Sequence, residues 1–177
     1  MSRQTFYQVI VETTAIHDLI VSTAEAFNQE SIGLLFGRPN AGRATVRRAF
    51  AFQIVSGRSS TDVRIDPKAQ QRMQETIADL NGPGDFLGYF HSHPGIDSIS
   101  SLGHLSEIDL AAMHTGEIEI VVSVQPAVDM RKHVKQRRGD RVECVVGRRR
   151  FTVSAYEAVS IDRHPFKTAE QVSRTSP

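Results

Sequence analysis

Apolar and polar positions along the chain recur with two periods, one near two residues and one near 3.6, and their order predicts mixed strands and helices. Phe6 to Val11 predicts a first strand, and Thr13 or Thr14 then offers an N-cap. Ile16, Leu19, Ile20, Thr23, Ala24 and Phe27 follow at helical spacing, predicting an amphipathic helix to about Asn28. Ser31 to Gly37 is a continuous apolar run bounded by Gly37 and Pro39, the mark of a buried strand. Arg38 to Arg43 reads as turn chemistry, and Thr45 to Val55 alternates as a returning strand. Asp66-Pro67 reads as the N-cap and first residue of a helix ending near Asn81 to Gly84, with Met73, Ile77 and Leu80 as its apolar stripe. Phe86 to His91 predicts a short strand that Pro94 and Gly95 break. A loop from Gly95 to Leu105 precedes a helix capped by Ser106 and covering Glu107 to about His114. Glu117 to Val124 predicts another strand, and Arg141 to Val146 with Arg149 to Ser154, joined at Gly147-Arg148, predicts a terminal hairpin. A compact α/β (α+β) sandwich with helices on both sides of a mixed sheet is the expected fold class.

Length and composition narrow this picture without redirecting it. At 177 residues the chain fits one domain, taken here as residues 1–166, with the polar stretch 167–177 expected to be a flexible tail. A hydrophobic content of 40% with 23% charged residues is that of a globular chain, and a formal net charge of +1 offers no global attraction for nucleic acid or anionic lipid. The single cysteine, Cys144, excludes an intramolecular disulfide and a cysteine-rich zinc site. Alternation places it on one face with Val142 and Val146, as a core thiol rather than a nucleophile. No secretory signal or membrane-length apolar run is read, so a cytoplasmic setting is expected.

Chemistry concentrates at Phe90-His91-Ser92-His93-Pro94. On an extended strand residues two apart share a face, so His91 and His93 can converge on one ion while Ser92 points away. An isolated His-x-His is a weak signal, but Asp109, in the first turn of the following helix, can complete two imidazoles with a carboxylate, a known zinc ligand set. Glu30, at the start of another strand, is free to act as a general base. His17, His114, His133 and His164 have no partner at ligand spacing.

The pattern Glu30-x-x-Gly33-x-Leu35-x-Gly37, then His91-Ser92-His93-Pro94, then Ser106-x-x-Asp109 resembles the JAMM/MPN+ (Mov34/PAD-1-like) metalloproteases, zinc isopeptidases that cut ubiquitin-like conjugates. The resemblance spans Glu30 to about Val124 and suits a small stand-alone prokaryotic-type member. It implies a single MPN-like domain with a mixed, mainly antiparallel sheet flanked by helices, a cytidine-deaminase-like sandwich. One departure stands out: twelve residues, Pro94 to Leu105, separate His93 from Ser106, more than is usual in the family. At the usual spacing the serine and third ligand would fall on Ser101 and His104. Ser106 and Asp109 are favoured because they open a capped helix, and a longer surface loop costs little.

The resemblance implies one Zn2+ per chain held by His91, His93 and Asp109, with Glu30 as the base and Ser106 as donor to the oxyanion. Ser106 is also adequately explained as a helix cap alone. The implied activity is hydrolysis after the C-terminal glycine of a ubiquitin-like protein, in deconjugation or precursor processing, with conjugation-pathway enzymes as further partners. Two other readings differ in class: a catalytically silent MPN-type scaffold that binds partners, and a nucleic-acid-associated MPN-like protein. The second leans on nine arginines or lysines between Arg131 and Arg150, a stretch without aromatics to stack bases. That stretch is explained first as a solvated hairpin and its loop, an acidic protein surface is the other partner it could grip, and no membrane or nucleic-acid partner is expected.

Overall fold

The computed structural model describes residues 6–26, 29–53, 65–80, 82–93, 105, 109, 113–114, 116–127, 136–138, 141–157 and 172–173. In chain order they form β1 (Phe6–Val11), α1 (Thr13–Ala26), β2 (Ile32–Asn40), β3 (Gly42–Ala51), α2 (Pro67–Asp79), β4 (Asp85–His93), β5 (Ile118–Pro126), β6 (Gln136–Arg138), β7 (Arg141–Val146), β8 (Arg149–Glu157) and β9 (Val172–Ser173). The strands make one sheet in the order β6-β7-β8-β5-β4-β2-β3-β1-β9. Most neighbours are antiparallel, whereas β1 runs parallel to β3 and β9, and β4 runs parallel to β5. The expected mixed, mainly antiparallel sheet flanked by helices is therefore observed. Of the segment 167–177, the described residues are Val172 and Ser173, which pair with Val9 and Ile10.

Helices α1 and α2 cover opposite faces, and alternation along β2 shows why. Leu35 joins Ala15, Ile16, Leu19 and Ile20 of α1 in one core, with Phe90, Ile120, Val122, Phe151 and Val153 from the sheet. Leu34 and Phe36 point the other way and pack with Ile77 of α2 and Phe52. Each fully buried leucine or isoleucine in these layers contributes about 1.5–3 kcal/mol over its exposed state. The start of α2 follows from local chemistry: Asp66 accepts from the Lys68 N–H, and Pro67 opens the helix. Leu80 departs from its expected place in the stripe, because it is the C-cap residue and is 73% exposed.

Further elements differ from the sequence reading. Arg38 to Arg43 is not an extended turn; β2 and β3 pair through Asn40↔Arg43 and reverse at Ala41-Gly42, with Gly42 at φ 71°. Pairing of β2 with β4 ends at Gly37, so Pro39, which lacks an N–H, sits where the strand has a neighbour on one side alone. β3 accordingly begins before Thr45 and ends at Ala51, while Val55 lies outside the described residues. β4 continues through His93, carried by parallel pairing to Val121, Val122 and Ser123. In β7, Val142 and Cys144 are buried as expected, but Val146 at the turn is half exposed.

Gly33 has a packing reason. A Cβ there would collide with the Phe50 carbonyl oxygen and the Phe90 ring, so β3 and the Phe90 side chain close over this position only if it is bare. Gly33→Ala is expected to destabilise the protein by about 1–3 kcal/mol, read as a lower denaturation midpoint. Wild-type stability in that variant would show that the contact relaxes at no cost.

Candidate metal centre

The site lies at the carboxyl end of β4, on the sheet face that α2 covers. Phe90 belongs to the core under α1, so alternation turns His91 and His93 to the opposite face. Their imidazoles converge there, with His91 Nε2 3.0 Å from His93 Nε2 and ring centroids 4.9 Å apart. Asp109 comes from the segment after β4, with Oδ2 3.5 Å from His91 Nε2 and 4.0 Å from His93 Nε2. The Met113 N–H donates to the Asp109 carbonyl at 3.2 Å, a helical i→i−4 bond where a helix is expected.

Donor atoms of His91, His93 and Asp109 all lie within 4.8 Å of one another, so the group could hold a metal ion. A tetrahedral ion with bonds of about 2.0–2.2 Å would hold its donors about 3.3–3.6 Å apart, which the three observed separations bracket. Two imidazoles and one carboxylate also match the donor set of an open catalytic zinc site. Access is graded. The side chains of His91, His93 and Asp109 are 8%, 15% and 25% exposed, so the group opens on the Asp109 side.

Ser92, between the two histidines, points away as expected and does structural work. Its N–H donates to the Ser31 carbonyl at 2.8 Å, and its Oγ accepts from the Ser31 N–H at 2.9 Å with the Ser31 hydroxyl 3.0 Å away. Both serines are buried. Ser31 directly follows Glu30, so this clamp ties the backbone of the expected base to the strand end that carries both histidines. Glu30 itself is partly buried. Ser106 and His104 lie outside the described residues.

Sequence reasoning missed Glu119. This residue is 7% exposed on β5, and its Oε1 lies 2.7 Å from His91 Nδ1. The signal that could have found it is an acid inside Ile118-Glu119-Ile120-Val121-Val122, since a carboxylate in a buried strand needs a partner. Burial pushes its carboxyl above the ordinary range, opposed by the contact with His91. For His91, burial pulls downward, but Asp109 and Glu119 outweigh it and the imidazole is pushed up to about 10. A separate groove of about 870 Å³ between α1, β3 and α2 contains none of these residues.

Comparison with known proteins adds two findings. The family model described as JAB1/Mov34/MPN/PAD-1 ubiquitin protease matches residues 4–113, more than half of the chain. The fold is similar to the solution structure of protein DSY2949 from Desulfitobacterium hafniense, with a TM-score of 0.61 at 16% identity, covering 96% of this chain and 94% of that one. No curated protein matches the sequence significantly.

Proposed function

The chain belongs to the JAB1/Mov34/MPN/PAD-1 ubiquitin protease family, and we propose that it is a zinc-dependent isopeptidase or peptidase that cleaves after the C-terminal glycine of a ubiquitin-like protein. The observation that carries this reading is the convergence of His91 Nε2, His93 Nε2 and Asp109 Oδ2 at separations of 3.0, 3.5 and 4.0 Å on one open face. These three atoms would hold the ion. Bound there, zinc would lower the pKa of a coordinated water to about 7 and polarise the scissile carbonyl.

The chain's own groups do the rest. The Glu30 carboxylate accepts the water proton and returns it to the leaving lysine amine. Ser106 donates its hydroxyl proton in a hydrogen bond to the carbonyl oxygen as charge develops on it. Ser31 and Ser92 hold the Glu30 backbone in register with the histidines, which limits the reorganisation needed to bring base and ligands together. Arg148, Arg149 and Arg150, at the β7–β8 turn, supply positive charge for an acidic surface of the substrate or of a conjugating enzyme. No helix among the described residues is long and apolar enough to cross a membrane.

Incubating purified protein with ubiquitin-like proteins fused through their terminal glycine tests this reading. Cleavage that a zinc chelator stops and added zinc restores is the expected result. Binding without cleavage, unchanged by the chelator, would instead identify a silent scaffold.

A further inference from the structure

We propose that Glu119 is a positioning residue for the metal centre, fixing the His91 imidazole so that Nε2 is the atom offered to the ion. This inference rests on the metal reading above and adds a residue outside the His91, His93 and Asp109 set. An imidazole has two nitrogens, and a neutral ring can ligate only through the one without a proton. Glu119 Oε1, 2.7 Å from His91 Nδ1, is an acceptor, so the proton that stays when the ring becomes a ligand is held on Nδ1, and Nε2 is the nitrogen freed for the ion. That Nε2 faces His93 Nε2 and Asp109 Oδ2, at 3.0 and 3.5 Å. The same contact sets the ring's rotation, because both nitrogens of one rigid ring are then directed.

The architecture leaves Glu119 little else to do. β5 runs parallel to β4 with Tyr89↔Glu119 and His91↔Val121 in register, so Glu119 reaches His91 diagonally across one strand gap. Its neighbours Ile118 and Ile120 belong to the core under α1, which turns Glu119 to the face that carries the histidines. It is 7% exposed, in a strand where an apolar residue would be easier to bury. The side chain therefore costs stability that a valine would not, and its contact with His91 accounts for it.

Zinc affinity measured by competition with a chromophoric chelator tests the assignment without reference to peptidase activity. Glu119→Ala is expected to weaken zinc binding about tenfold to a hundredfold. Glu119→Gln keeps the shape and a neutral acceptor, and is expected to lose affinity in the same direction by a smaller factor. With cobalt(II) in place of zinc, the visible absorption of Glu119→Ala should shift, and Glu119→Gln should restore the wild-type band position, which a loss of packing alone would not produce. Thermal denaturation identifies folded variants, and if Glu119→Ala fails to fold, the nearly isosteric Glu119→Gln decides. A folded variant that binds zinc as tightly as wild type overturns the positioning role and leaves the metal centre standing. Wild-type protein that binds no zinc overturns both.

Discussion

Glu30→Gln is expected to abolish cleavage while zinc content stays at the wild-type level. Glutamine retains the size and hydrogen-bonding capacity of glutamate but cannot accept a proton at neutral pH. Proton transfer by a positioned side chain is commonly worth a hundredfold to ten-thousandfold, or about 3–5 kcal/mol of barrier. Since Glu30 is not among the three converging ligand atoms, its loss should leave the ion in place. The measurement pairs the single-turnover rate on a glycine-linked fusion with metal analysis of the same sample. An active variant removes Glu30 from the base role, and a variant that loses zinc makes it a ligand.

Asp109→Ala should lose the metal and, with it, activity. It removes the only anionic donor of the group and leaves two imidazoles, so the loss of zinc affinity should exceed about a hundredfold, more than an outer partner costs. His91→Ala should behave alike, whereas His104→Ala should retain zinc. Metal kept in Asp109→Ala and lost in His104→Ala would reverse the assignment of the third ligand. The same affinity assay should depend on pH in a defined direction. Burial lowers the His91 pKa, but the carboxylates of Asp109 and Glu119 prevail and raise it to about 10, so the metal-free site carries a proton at neutral pH. Binding must release that proton, so affinity should rise with pH, by up to about tenfold per pH unit for one displaced proton. Affinity that is flat between pH 6 and 8 would mean the imidazole is already neutral.

The elements most legible in the sequence are those whose causes are local. Asp66-Pro67 announces a helix start because a carboxylate cap and a proline each satisfy backbone geometry within three residues. Gly147-Arg148 announces the terminal hairpin because the turn needs a positive φ, and Gly147 adopts 60°. The stripe on α1 is legible for the same reason, as Ile16, Leu19 and Ile20 recur at helical spacing and are all buried. Where a neighbour from elsewhere in the chain decides the outcome, the reading stopped short. β4 runs two residues beyond His91 because β5 pairs with it there, and Pro39 stays in β2 because β4 has already ended alongside.

The candidate site divides along the same line. By itself the sequence determined that His91 and His93 share a face, since strand periodicity requires it, and that Asp109 follows at the start of a helical turn. It also carried the family pattern from Glu30 to Asp109. Only the tertiary structure decided that the carboxylate of Asp109 meets the two imidazoles, because its position depends on how the chain returns from β4. Only the tertiary structure joined Ser31 to Ser92 and Glu119 to His91, pairs separated by 61 and 28 residues. The physical reason is common to both: a buried polar side chain signals that a partner exists, but which partner it meets is set by strand order and register, which no local pattern encodes.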